Sequence, residues 1–350
     1  MNISDVDLKY IAQQSRLDFL ALKNANIFIT GGSGFIGRWL LESLFYANAA
    51  YELDVKVTVL SRDINAFKDS CPSFFESNNF SVVSGDIRTY KWPNSGFTHA
   101  IHAATDVIAT NTPLETFDVI VSGTRYFLDF CKYAKVKKVL LLSSGAVYGI
   151  IPQVIDRVSE DYSGSPSSAK LNSAYGIGKL ASEWLGSVYS SSGEMECKVA
   201  RIFAQVGPYL ALDKQFAAGN FLLNALKGEA FLIKGDGTPK RSYMYAADLA
   251  VWLWGILDRG VSGQSYNVGS DYAVSIFELA EIISSVANIQ HPQIRVLEKL
   301  NLSGEYERYV PDISKASKEL HLNINIPLKN ALERTFLWYQ QSMESRKLWS

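Results

Sequence analysis

The sequence predicts an α/β protein built on a doubly wound parallel sheet, and two observations predict it. Short apolar runs ("NIFI", "VKVTVL", "FSVVSGD", "HAIHAAT", "KVLLLSS") alternate with stretches of helical periodicity through the first half of the chain. Alternation of that kind builds parallel sheets with helices on both faces. The first run also leads into a glycine-rich turn, "TGGSGFIG" at Thr30–Gly37, which opens a helix.

Composition bounds the rest. A chain of 350 residues suggests two domains, or one large domain with an extension. Hydrophobic residues make up 47% and the formal net charge is −1. That balance is ordinary for a globular protein and offers no electrostatic case for nucleic acid or an anionic membrane. The N-terminal segment is amphipathic and interrupted by charges, without the apolar centre of a signal peptide. No apolar run reaches membrane-spanning length. A soluble, cytoplasmic protein is expected. Cys71, Cys131 and Cys197 are scattered, without metal or redox spacing, so reduced structural cysteines and no metal site are expected. There is no internal repeat or low-complexity tract, and the segments near 162–169 and 207–220 read as loops. Residues 1–24 precede the first strand and read as a helical extension packed outside it.

The first strand is Asn26–Thr30, with Ile27, Phe28 and Ile29 consecutively apolar. From Arg38 onward Trp39, Leu40, Leu44 and Phe45 recur at helical spacing. Between them Gly31, Gly34 and Gly37 give GxxGxxG, a variant of the commoner GxGxxG fingerprint. Read alone, this is a tight turn with packing glycines. Placed between strand and helix, it directs bare backbone N–H groups and the positive helix end at one spot, which suits a pyrophosphate. Gly31, Ser33, Gly34, Phe35, Ile36 and Gly37 are therefore the first cofactor residues expected.

Ligands bind at the carboxyl ends of such strands. The second strand ends at Ser61-Arg62, where an NAD site usually places an acid on the ribose. A hydroxyl and a guanidinium fork suit a 2′-phosphate instead, so NADP(H) is preferred and NAD(H) stays open. Arg38 is a second phosphate candidate. At the third tip Asp86 is placed to accept from the adenine amino group, with Ile87 on the ring. At the fourth, Ala103 and Ala104 let the backbone pass close to the cofactor, with Thr105 beside them. His102 reads as a core histidine.

The fifth strand ends at Ser144. Further on, Tyr175 and Lys179 are four apart, which on a helix is one face. A lysine ammonium near a phenol favours the phenolate. Such a tyrosine exchanges a proton with a substrate oxygen while a nicotinamide exchanges hydride at the attached carbon. Ser144 can polarise the same oxygen.

With these motifs in place, the chain resembles the extended short-chain dehydrogenases/reductases, in their nucleotide-sugar epimerase/dehydratase group. The resemblance covers residues 24–340 and rests on "TGGSGFIG", "HAAT", "SSGAVYG", "AYGIGK", "RIFAQVGP", "GDGTPKRSYMYAADLA" and "YNVGS". It implies a Rossmann-like NAD(P)-binding domain over 25–203, with a return near 240–270. A smaller C-terminal α/β substrate domain, mainly 204–350, would follow. It also implies Ser144, Tyr175 and Lys179 as the catalytic set, with Tyr175 and Lys179 also touching the cofactor. A homodimer packing two helices from each subunit is implied too, "TRYFLDFCKYA" resembling one of them. The substrate implied is a nucleotide sugar, with Arg241 on its diphosphate and Asn220 on its phosphate or sugar.

Departures from the family pattern narrow the chemistry. The 4,6-dehydratases of this family carry Thr-Asp-Glu before "VYG", and the Asp and Glu move the protons of dehydration. Here those places read Ser144-Gly145-Ala146, which disfavours dehydration and the glutamate-keeping decarboxylase pattern. Ala204 replaces a substrate-binding asparagine, and Ile120 replaces a common asparagine ahead of "GT". Leu302 stands about where many members have a second diphosphate arginine, with Arg308 as the candidate replacement. The expectation is an NADPH-dependent reductase of a 4-keto-6-deoxy nucleotide sugar, serving deoxysugars for surface polysaccharide. The alternative is a 4-epimerase holding NAD tightly. A 4,6-dehydratase and a non-enzymatic NADP(H) sensor rank below both.

Overall fold

A computed structural model describes residues 2–94, 96–105, 112–214, 216–298 and 307–347. Six strands, β1 (Asn26–Thr30), β2 (Lys56–Ser61), β3 (Phe80–Ser84), β4 (His99–His102), β5 (Lys138–Ser144) and β6 (Glu196–Ile202), join a Ser265–Val268 strand in one seven-stranded sheet. Every pairing is parallel. From one edge the order is Ser265–Val268, β6, β5, β4, β1, β2, β3. The chain's direction of travel across the sheet reverses between β1 and β4, and a ligand crevice opens at that point in such sheets. Thr30 and His102 pair in register there, so both strands end level.

The apolar runs are continuous because both sheet faces are covered. Alternate residues of β1 serve two cores. Ile27 and Ile29 join one core with Trp39, Leu40, Leu249 and Leu253; Phe28 joins the other with Phe127, Leu128 and Phe130. The helices supplying these residues include α3 (Phe35–Tyr51) and the Ala246–Arg259 helix for the first core. Two short helices, α4 (Ile64–Ser70) and α5 (Pro72–Phe75), lie between β2 and β3, and α6 (Pro113–Tyr133) and α7 (Ala174–Ser190) flank β5 in sequence.

The extension forms two helices, α1 (Asp5–Gln14) and α2 (Arg16–Ala21). It packs on α3 and the Ala246–Arg259 helix and is also stitched to later parts of the chain. Leu8, Ile11 and Phe19 are buried in the first core. Buried Asp7 accepts from the Tyr245 hydroxyl at 2.8 Å and pairs with Arg334 at 2.6 Å. Asp18 pairs with Arg259 at 2.7 Å.

Beyond β6, short strands build a second, smaller region. Lys240–Ser242 pairs antiparallel with Ala273–Ser275 and parallel with Arg308–Tyr309. His102 is a core residue: its ring nitrogens meet the Thr30 and Thr124 hydroxyls at 2.8 and 3.1 Å, and burial pushes it down to about 3. All three cysteines are buried and unpaired. Among the described residues no helix is long and apolar enough to cross a membrane, and no His, Cys, Asp and Glu cluster is placed to hold a metal.

Candidate active site

The glycine turn sits at the crevice between β1 and β4. Gly31 has φ +75°, and a methyl there would lie 2.6 Å from the Ala103 carbonyl and 2.7 Å from the Ala104 nitrogen. A methyl on Gly37 would run into the backbone of Gly31 and Gly32. The turn, the β4 tip and the start of α3 are thus pressed together as only glycine permits. The N–H groups of Phe35, Ile36 and Gly37 open α3 without intrahelical acceptors. A helix end of this kind, beside backbone with no side chains over it, fits a dinucleotide pyrophosphate.

At the adenosine end the side chains differ from expectation. Arg38 lies over the Tyr209 ring, 4.6 Å from its centre, and donates to the Ser33 carbonyl at 3.1 Å. Cation–π attraction and that hydrogen bond hold it against the loop rather than out towards a 2′-phosphate. Ser61 is buried and donates to the Asp63 carbonyl at 3.0 Å. Arg62 is exposed, and its charge helps to hold Asp86 below its usual value, after the larger effect of Arg88. Arg88 was not anticipated. Its backbone N–H and Nε occupy Asp86 Oδ1 at 2.9 and 2.8 Å, and its second nitrogen takes Oδ2 at 3.0 Å. One lone pair of Oδ2 remains for another donor. Ile87 is buried under α6, where a methyl on Gly123 would crowd its side chain.

Ser144, Tyr175 and Lys179 come together below β4 and β5. Ser144 ends β5, is buried, and accepts from the Ala146 N–H at 3.2 Å. Lys179 is buried and donates to the Leu142 carbonyl and the Thr105 hydroxyl, each at 2.7 Å. Its nitrogen lies 5.9 Å from the centre of the Tyr175 ring. Burial pushes Lys179 down to about 7, partly opposed by Glu183. Burial also pushes the Tyr175 phenol up, and the Ser144 hydroxyl is what pulls it down. The ammonium is spent on two other acceptors, and desolvation weakens its own charge.

A buried ion pair braces this set from behind. Glu183 accepts from Ser143 at 2.5 Å and from Arg201 at 2.8–3.1 Å, and Arg201 reaches the Tyr148 hydroxyl at 2.9 Å. Glu183 follows Lys179 by one helical turn, so the sequence carried a signal for it. Arg201 comes from a distant strand and carried none.

At the substrate end, Arg241 pairs with exposed Glu307 at 2.9 Å and lies 5.8 Å from the Tyr309 ring centre. Strand alternation separates Arg241 from Arg308. Tyr309 sits opposite Arg241, whereas Arg308 sits opposite Lys240 and pairs with Asp156 at 3.4 Å. Arg308 therefore does not join Arg241 on one diphosphate. Asn220 is half-buried near the start of the Ala217–Lys227 helix. Leu302 lies outside the described residues.

Residues 27–269 match the family model of the NAD-dependent epimerase/dehydratase family. The chain belongs to that family. It is similar to UDP-glucuronic acid decarboxylase 1 of Danio rerio, 27% identical over 98% of this chain and 79% of that protein. Among solved structures it resembles the UDP-N-acetylglucosamine 4-epimerase of Methanobrevibacter ruminantium, with a TM-score of 0.77, 22% identity and coverage of 92% and 100%. It also resembles the NAD-bound dTDP-glucose 4,6-dehydratase of Bacillus anthracis, with a TM-score of 0.75, 22% identity and coverage of 91% and 98%. The family member is an enzyme of Rossmann-like fold, as its motifs implied.

Proposed function

We propose that the protein is an NADPH-dependent reductase that delivers hydride to carbon 4 of a 4-keto-6-deoxy nucleotide sugar. The observation that carries this is the pairing of an assembled Ser144-Tyr175-Lys179 set with an empty acid–base position. Neither Gly145 nor Ala146 can move a proton. The space a side chain at residue 145 would need is taken by the Tyr309 hydroxyl and the Phe203 ring. Elimination of water, and the glutamate-dependent pattern linked above with decarboxylation, lack their groups here, while carbonyl reduction keeps all of its own.

A nicotinamide cofactor, when bound, would supply the hydride. Tyr175 gives its proton to the carbonyl oxygen as that oxygen becomes a hydroxyl, and Ser144 donates a hydrogen bond to the same oxygen. Lys179, held by Leu142 and Thr105, supplies positive charge beside the resulting phenolate. Arg241 is the candidate for the diphosphate, exchanging its ion pair with exposed Glu307 for a bidentate contact. Arg62 supports NADPH over NADH. Chains pairing as a homodimer would cover the exposed stripe of Leu180, Trp184 and Val188 on α7, which are 37%, 66% and 45% exposed. By contrast, Phe127, Leu128, Phe130 and Cys131 of the segment first suspected are buried in the subunit's own core.

The test is to mix pure protein with NADPH and a panel of dTDP-, CDP-, GDP- and UDP-linked 4-keto-6-deoxy sugars and follow the reduced nicotinamide. Stoichiometric loss of NADPH is expected. No loss with any of them, together with interconversion of UDP-hexoses without added cofactor, would replace this reading with the 4-epimerase.

A further inference from the structure

Arg38 and Glu42 stand four residues apart on α3, the spacing at which opposite charges pair directly along a helix. Tyr209, from the segment after β6, engages each of them. Its hydroxyl donates to Glu42 Oε1 at 2.6 Å, and its ring lies under the Arg38 guanidinium, 4.6 Å from centre to carbon. Glu42 Oε2 accepts from the Ile3 N–H at 2.7 Å. Arg38 Nε donates to the Ser33 carbonyl of the glycine turn at 3.1 Å. Tyr209 does this from a strained backbone. Its φ is +71°, in the left-handed region that bulky side chains rarely adopt. The flanking carbonyls are both held: Pro208 accepts from Trp39 Nε1 at 3.0 Å, and Leu210 accepts from the Tyr339 hydroxyl. The Tyr209 ring also meets Trp338 edge-on, 4.9 Å between centres. Trp338 and Tyr339 lie on the Leu328–Lys347 helix, and Trp338 Nε1 donates to the Asn2 carbonyl at 3.0 Å. Both ends of the chain thus brace the residue that holds Arg38, and strain maintained by its surroundings points to a functional constraint.

We propose that Tyr209 is a positioning residue for the glycine turn: by keeping Arg38 from Glu42 it holds the guanidinium on the Ser33 carbonyl, and so fixes the turn that receives a dinucleotide pyrophosphate. The Ser33–Gly34 peptide is planar, so a carbonyl fixed on Arg38 also fixes the N–H at its other side. That N–H closes the turn on the Gly31 carbonyl at 3.1 Å. One peptide is therefore held at both ends, and the bare N–H groups that follow it keep their direction before a ligand arrives. Such preorganisation raises affinity because less ordering is left to binding. The proposal concerns the part of the cofactor common to NADH and NADPH, and it stands apart from the reductase reading.

Tyr209→Phe keeps the ring beside Arg38 and Trp338 and deletes only the hydroxyl. Glu42 then lacks a donor and draws Arg38 along α3, off Ser33. Isothermal titration of the nucleotide-free full chain with NADPH and with NADH reads the effect. Both affinities are expected to fall about five-fold, the scale of one hydrogen bond. Adding Glu42→Gln removes the charge that draws Arg38, while the amide oxygen still accepts from Ile3. Both affinities should then return to within about two-fold of wild type. A tyrosine that served stability alone would lose more with the second change, not less. Arg38→Met should weaken both cofactors as Tyr209→Phe does, and Tyr209→Phe added to it should change nothing further. Unchanged affinity in Tyr209→Phe overturns the proposal, as does a loss that Glu42→Gln fails to reverse. A loss confined to NADPH also overturns it, because that would put Arg38 on the 2′-phosphate. No turnover is measured, so a failed reductase assay and a failed titration are separate results.

Discussion

Lys179 Nζ donates to Thr105 Oγ1 at 2.7 Å, which ties α7 to the tip of β4 beside the glycine turn. The same nitrogen holds the Leu142 carbonyl of β5 at 2.7 Å. One buried amine therefore sets the distance between the tip of β4 and the strand that carries Ser144.

Its burial has a consequence for stability. Lys179 is held at about 7 in the fold against 10.5 for an exposed lysine. Between those values the unfolded chain binds a proton that the folded protein does not. Stability contributed by this site therefore rises with pH through that window, by up to about 1.4 kcal/mol per unit, and nothing is gained below it, where both states are charged. Urea midpoints of the cofactor-free protein at pH about 6.5, 7.5 and 8.5 should climb in wild type and stay flatter in Lys179→Met. Equal slopes would show that Lys179 keeps its ordinary affinity for protons.

Tyr175→Phe retains the ring and deletes the proton donor. Turnover should fall about 100-fold or more, the usual scale for a positioned acid, with cofactor affinity little changed. Near-normal turnover would remove Tyr175 from the reaction.

The proposed preference for NADPH rests on Arg62. Charge-assisted hydrogen bonds from its guanidinium to a 2′-phosphate should favour NADPH over NADH by about 1.5–3 kcal/mol, roughly 10- to 150-fold. Arg62→Ala is the suitable variant, because a carboxylate put at Ser61 would be buried. Fluorescence titration should show weaker NADPH binding in the variant and unchanged NADH binding. A wild type that binds both cofactors equally would make Arg62 a surface arginine.

Glu183→Ala leaves Arg201 buried without its carboxylate; the two side chains are only 10% and 13% exposed. Breaking a buried pair from one side costs about 3–5 kcal/mol. The urea midpoint should drop accordingly, and a loss under about 1 kcal/mol would show the pair to be well solvated.

Much of this was legible in the residues. The strands β1 to β5 are contiguous apolar runs, and the glycine turn is a spacing within a few neighbouring positions. Tyr175 and Lys179 share a face because a helix repeats every few residues. Asp86 was read at the right strand tip, yet Arg88, two residues on, had taken most of its carboxylate. Which hydrogen bond a flexible side chain makes is a competition that spacing does not describe. The approach of α6 at Gly123, which buries Ile87, was likewise not written in the spacing.

The sequence by itself determined the sheet, its parallel connections, the crevice at the turn and the shared helix face of Tyr175 and Lys179. Each of these follows from backbone period and from glycine's lack of a Cβ, which are properties of neighbours in the chain. Only the tertiary structure decided that Tyr309 faces Gly145, that Arg308 turns away from Arg241, that Arg201 pairs with Glu183, and that α1 and α2 are tied to Arg259 and Arg334. These depend on which distant segments pack together. Packing fixes both the distance between groups and how much water is left around them, and those two quantities set the strength of a charge and the acidity of a buried phenol or ammonium.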